Sequence, residues 1–187
     1  LKIFRPVKQN WVSQRFGENR LPMYKEMGMK GHSGIDFVCK DKAPLYFDVD
    51  IEGLVIQQHV DSKGGLGLDI VTREKNGDLF KHRYWHLHSF NVVPGDVVES
   101  GDLIGWCDNT GRSTGTHLHR GLKPVYLDDN ENYKNKEPNN GYFGAIDPMP
   151  YFKNIYIKDH IAFLKIHISL LKQMVELLQN LLKLIKK

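Results

Sequence analysis

Two short motifs, far apart in the chain, carry the residues best suited to chemistry. One is Gly31-His32-Ser33-Gly34-Ile35-Asp36, the other Gly115-Thr116-His117-Leu118-His119. Together they offer three imidazoles and a carboxylate, ligand types that suit zinc. His117 and His119 are two residues apart, so on a strand both side chains project from one face; His32 and Asp36 are also an even step apart. Nitrogen and oxygen ligands without a thiolate point to a catalytic metal, because structural zinc sites favour cysteine and fill all four positions. A second His-x-His pair, His86 and His88 in Tyr84-Trp85-His86-Leu87-His88, has the same chelating potential. Chemistry alone does not choose between the two pairs. His59 and His82 fall in strand patterns without a partner motif and read as surface or satisfied strand positions, while His160 and His167 fall in a C-terminal helical stretch and read as solvated or bundle-facing.

The elements that must bring the motifs together read as β-structure. Strands are predicted at 35–39, 54–60, 68–73, 79–85, 96–99, 103–106 and 117–122. Asn76-Gly77 is a hairpin turn signal, and Gly64-Gly65 and Pro94-Gly95 punctuate other connections. Short strands at close spacing argue for a mainly β body, an antiparallel sheet or sandwich. The polar stretch 126–144 reads as a long surface loop, of the kind that forms functional rims or disordered connectors.

From about residue 157 the pattern changes. Leu164, Leu171, Leu178 and Ile185 recur every seven residues, Ile168, Val175 and Leu182 widen the stripe, and no Gly or Pro interrupts it. This predicts a long amphipathic helix whose apolar face is wider than a two-stranded coiled-coil seam. Lys165, Lys172 and Glu176 break the apolar run, so it is not read as a membrane span. Self-association ranks first as the fate of this face, attachment to another protein second and a membrane surface third. Two units are expected: a catalytic domain over 1–152 and an oligomerisation or attachment helix over 153–187.

Composition narrows the partners. The 187 residues are 41% hydrophobic and 26% charged, ordinary for a globular protein. Six lysines against Asp159 and Glu176 from residue 158 onward account for the whole net charge of +4, so residues 1–157 are formally neutral and lack the composition for a nucleic-acid-binding face. Cys39 and Cys107 do not make a disulfide framework and read as two free thiols. Residues 1–6 contain no apolar run, so no signal peptide is expected in them, which leaves export open.

The ordered set His32-Ser33-Gly34-Ile35-Asp36-Phe37, Tyr84-Trp85-His86-Leu87, Gly101-Asp102-Leu103-Ile104-Gly105, Asn109-Thr110-Gly111-Arg112-Ser113-Thr114-Gly115 and His117-Leu118-His119 resembles the lysostaphin-type zinc metallopeptidases. Phe16-Gly17 and Ile146-Asp147-Pro148 extend the resemblance to roughly residues 3–152. It implies the family's duplicated hybrid motif fold and one zinc per chain, held by His32, Asp36 and His119. It also implies that His86 and His117 flank the metal as catalytic histidines without being ligands, while His88 is incidental. Thr114 and Gly115 are candidates to contact substrate. The implied substrate is bacterial peptidoglycan, cut in its cross-links or stem peptides, which places the protein outside the cell, in the envelope or on a virion. His-Glu-x-x-His is absent, so histidine rather than glutamate would act as base. Arg120 departs from the family pattern, and on a strand it should face away from His119. A non-enzymatic relative would be expected to have lost ligands, whereas all five positions are intact here. The tail helix suggests instead a catalytic domain carried in a larger assembly, such as a phage particle.

Overall fold

In a computed structural model of the chain, residues 1–8 and 11–185 are described, with only the backbone at 155, 156, 158–160, 163 and 180–185. In chain order the strands are β1 (Ile3–Arg5), β2 (Val12–Gln14), β3 (Gly34–Val38), β4 (Pro44–Tyr46), β5 (Gly53–Asp61), β6 (Gly65–Arg73), β7 (Leu79–Phe90), β8 (Val97–Val98), β9 (Leu103–Cys107), β10 (His117–Leu127), β11 (Tyr133–Asn135) and β12 (Phe152–Tyr156). A short α1 (Met23–Glu26) precedes β3, and a long α2 (Ile157–Ile185) ends the described chain. The fold is mainly β and antiparallel with one long C-terminal helix, as the alternation and the heptad stripe lead one to expect.

Ten strands form one sheet whose main path is β2-β3-β10-β7-β6-β5-β8, with β11 added to β10 and β4 and β9 joined through β7. The path interleaves strands distant in sequence: β3 and β10 become neighbours, and the register sets His119 opposite Asp36. Alternation sorts the two faces. Ile35, Phe37, Leu118, Leu122, Tyr84, Leu68 and Ile70 project from one face into the core with Leu45, Phe47 and Ile104. The opposite face carries His119, Trp85 and Arg83.

Several details differ from the sequence-based expectation: β1, β2, β4 and α1 are additional short elements, and residues 153–156, assigned above to the tail helix, belong to β12. β7 runs on through His86 and His88 to Phe90. The stretch 126–144 is not wholly loop: β10 extends to Leu127 and β11 pairs back onto it. Finally, β1 and β12 pair in parallel, tying the two ends of the β body together.

The start of α2 is anchored, with Ile157 fully buried and the Ile161 side chain against Gly101. Further along, Leu164, Leu171 and Leu178 are 43%, 59% and 56% exposed, so the apolar stripe stands open. The remaining stripe positions Leu182 and Ile185, together with His160, lie outside the side chains described.

Candidate metal centre

Asp36 lies in the middle of β3, and His119 projects beside it from β10. His32 lies in the turn just before β3, not on the strand, and two backbone hydrogen bonds hold that turn: His32 N–H to the Glu18 carbonyl, 3.0 Å, and Gly17 N–H to the His32 carbonyl, 2.9 Å. Gly34 makes the approach possible, since a Cβ there would fall 2.8 Å from Cε1 of His119. The result is a triangle of donor atoms. His32 Nε2 and His119 Nδ1 are 2.8 Å apart, His32 Nε2 and Asp36 Oδ1 3.1 Å, and His119 Nδ1 and Asp36 Oδ1 3.0 Å. Tetrahedral zinc ligands at about 2.1 Å from the ion are about 3.4 Å from one another, so this triangle needs to open only slightly to form one face of a tetrahedron. Among the described residues, His32, Asp36 and His119 are the one group of this kind that could hold a metal.

Protonation fits that role. His32 donates from Nδ1 to the Arg15 carbonyl at 3.2 Å, which leaves its Nε2 lone pair turned into the site. Burial pushes His119 down to about 4, against the opposing pull of Asp36, so it is neutral at pH 7. Burial raises Asp36, but its close contacts with His119 and His32 outweigh that and hold the carboxyl well below the usual range. Neutral imidazoles and an ionised carboxylate are the forms a metal takes. Behind His32 packs the buried ring of Tyr24, 6.1 Å between centroids, its hydroxyl pushed up to about 12 by burial and by Asp36.

His86 and His117 stand at the edge of this triangle, their rings 4.6 Å apart. His117 shares a face with His119, and its Nε2 is 3.6 Å from Asp36 Oδ2. Its Nδ1 lies 2.8 Å from the Gly115 carbonyl, to which it donates. His86 reaches the site by a different route. As the neighbour of Trp85 it would ordinarily face the core. Across the β6–β7 pairing, however, Leu66 faces Leu87 and Gly67 faces Trp85, so His86 is the extra residue of a bulge, with φ of 67°. Bulges re-aim side chains, and here the imidazole turns toward His119, with 6.2 Å between ring centroids. His86 Nδ1 is 2.7 Å from the Thr110 carbonyl, to which it donates, and burial lowers its pKa, so it is neutral with Nε2 unprotonated.

His88 is not brought to the triangle; it is exposed and pairs with Asp108 at 3.0 Å. Thr114 and Gly115 are exposed beside His117. Cys39 and Cys107 are free and buried. His59 pairs with Asp69 at 3.1 Å, and His82 is fully buried. Arg120 turns away from His119 into the core, where it is fully buried and paired with Asp48.

The family model described as peptidase family M23 matches residues 30–135, which include all five clustered residues, and the chain belongs to that family. The glycyl-glycine endopeptidase ALE-1 of Staphylococcus capitis is 34% identical over 132 residues, 68% of this chain and 31% of that protein. The peptidoglycan DD-endopeptidase ShyA of Vibrio cholerae is 34% identical over 116 residues, 61% of this chain and 25% of that protein. The chain therefore spans less than a third of either relative. Among solved structures, the catalytic domain of lysostaphin from Staphylococcus simulans superposes with a TM-score of 0.57 at 26% identity, covering 75% of this chain and 90% of that one. A zinc-containing peptidase from Vibrio cholerae gives 0.54 at 26% identity, covering 66% and 37%.

Proposed function

We propose that this chain is a zinc-dependent endopeptidase of bacterial peptidoglycan. The observation that carries the reading is the triangle of His32 Nε2, Asp36 Oδ1 and His119 Nδ1, with edges of 2.8 to 3.1 Å, flanked by two imidazoles whose Nδ1 atoms are tied to backbone carbonyls. His32, Asp36 and His119 are the proposed ligands of one zinc ion. Bound there, zinc polarises a peptide carbonyl and lowers the pKa of water toward neutrality.

His86 and His117 supply the proton handling. Each donates from Nδ1, which leaves Nε2 to accept a proton from water and later to return it to the leaving amine. The same Nε2–H can stabilise the developing oxyanion. Thr114 and Gly115 form a rim beside His117 where a peptide backbone can lie. Such a substrate places the enzyme's work outside the cytoplasmic membrane, in the envelope or beyond it. Among the described residues no helix is long and apolar enough to cross a membrane.

The test is elemental analysis beside hydrolysis of purified peptidoglycan. One zinc per chain is expected, with activity abolished by chelator. His32→Ala, Asp36→Ala and His119→Ala should lose both metal and activity. His86→Ala and His117→Ala should keep the metal and lose about 100- to 10,000-fold in rate. Full activity in a metal-free His119→Ala protein would overturn the reading.

The open stripe on α2 favours a second element of the proposal: the helix joins copies of this chain or seats it in a larger assembly. Its heptad spacing, on a body otherwise formally neutral, supports association with like helices over nucleic-acid binding.

A further inference from the structure

The sheet face that carries the metal residues continues past them, and the register arranges it in rows. Asp36, His119, Trp85 and Gly67 form the first row; Gly34, Gly121, Arg83 and Asp69 the second; Lys123, Lys81 and Val71 the third. Alternate residues on a strand are about 7 Å apart, so Arg83 lies one row from the metal residues and the two lysines lie two rows away. Gly121 joins the first two rows without obstruction. A Cβ there would come within 3.3 Å of Arg83 Cβ and 3.7 Å of His119 Nε2. Lys81 also lines an open cleft of about 400 Å³ shared with Tyr133 and with Lys134 and Asp128, which pair with each other at 3.6 Å.

The charges in the second and third rows do not balance. Arg83, Lys81 and a Lys123 that is only partly protonated near pH 7 face one carboxylate, Asp69, whose two oxygens are already engaged, one by Arg83 Nε at 2.8 Å and the other by His59 at 3.1 Å. Among the described residues no hydrogen bond engages either Nη of Arg83 or the amine of Lys81. Lys123 donates to the Phe143 carbonyl at 2.7 Å. Burial pushes Lys123 down to about 7, and the nearby Arg83 and Lys81 add to that shift, so these cations repel one another in a partly desolvated place. The Arg83 guanidinium is also held in position, 5.1 Å from the centroid of Trp85, whose ring is stacked by His59. A preorganised guanidinium with a free fork is a carboxylate receptor.

We infer that Arg83 and Lys81, with Lys123 beneath them, form a subsite for a free carboxylate of the peptide being cut. An extended peptide advances about 3.3 Å per residue, so that carboxylate lies roughly two to four residues from the scissile amide. This rests on the peptidase reading and deepens it. The substrate is a stem-peptide cross-link bearing acidic groups rather than a run of glycines, which offers no charge at that distance.

Two synthetic cross-link peptides that differ only in a free carboxylate or its carboxamide three residues from the scissile bond test it on the zinc-loaded full chain. The carboxylate form should show a KM about tenfold lower, the equivalent of one charge-assisted hydrogen bond. Arg83→Gln and Lys81→Gln should each draw that ratio toward one; the Lys81 variant removes no ion pair and so keeps the test open if the other fails to fold. Equal KM values, or oligoglycine cut as well as the acidic peptide, would overturn the subsite. If neither peptide is cut, the peptidase reading falls. Calorimetry on the metal-free protein then decides the subsite by itself: tighter, salt-sensitive binding of the carboxylate peptide supports it, and equal binding of both peptides ends it.

Discussion

At the scale of single residues, the departure at Arg120 explains itself through Asp48. Asp48 is fully buried and accepts from Arg120 Nε and Nη2, both at 2.9 Å, and from the Tyr84 hydroxyl at 2.5 Å. The other ring of this network is His82. Arg120 Nη2 donates to its Nδ1 at 2.7 Å, and its Nε2 lies 2.9 Å from Thr72 Oγ1. A buried guanidinium left without its carboxylate is costly, so Asp48→Ala should destabilise the protein by about 3–5 kcal/mol in denaturant titration. Burial, with Arg120 nearby, holds the His82 pKa well below 6.5. The unfolded chain therefore takes up a proton near pH 6.5 that the folded chain refuses. Stability is complete above that pH and is lost as pH falls toward the folded value. Urea midpoints at pH 7.5 and 5.0 in chelator should show this loss, and His82→Gln should make it smaller.

Among the elements, the bulge in β7 and the connection between β9 and β10 act together. The bulge aims His86, and the Thr110 carbonyl in that connection holds it. Gly111, next in the chain, has φ of 75°, and a Cβ on it would run into the Gly64–Gly65 backbone. Gly111→Ala therefore has to move the segment that orients both flanking imidazoles, while the three donor atoms on β3, its preceding turn and β10 stay put. The expected outcome is zinc content unchanged and a rate lower by about 10- to 100-fold, the scale of an ångström-sized misplacement of catalytic groups. Paired measurements of metal content and turnover would check it.

For the whole molecule, the question is what covers α2. Leu171 and Leu178 are both more than half exposed, and an apolar stripe this long is a poor surface for a solitary protein. Light scattering on the full chain should give a multiple of 21.6 kDa, and Leu171→Lys with Leu178→Lys should return it to the monomer mass. Peptidoglycan hydrolysis per chain should survive that change, because the stripe is remote in sequence from His32, Asp36 and His119 and, among the described residues, the helix packs on the body at its start.

Much of this was legible in the chain alone. Residue type and even spacing place His117 and His119 on one side of a strand, because alternation within a strand is a local property of the backbone. The heptad repeat likewise announces α2, because helical periodicity is local. What stands opposite a residue on another strand is not local. Strand order and register decided that Asp36 faces His119, that an extra residue in β7 turns His86 from the core to the metal side, and that Arg83, Lys81 and Lys123 gather beside the centre although nothing in their sequence neighbourhoods links them. Those pairings are chosen by burying one face of the sheet as a whole, a condition that only the assembled tertiary structure satisfies.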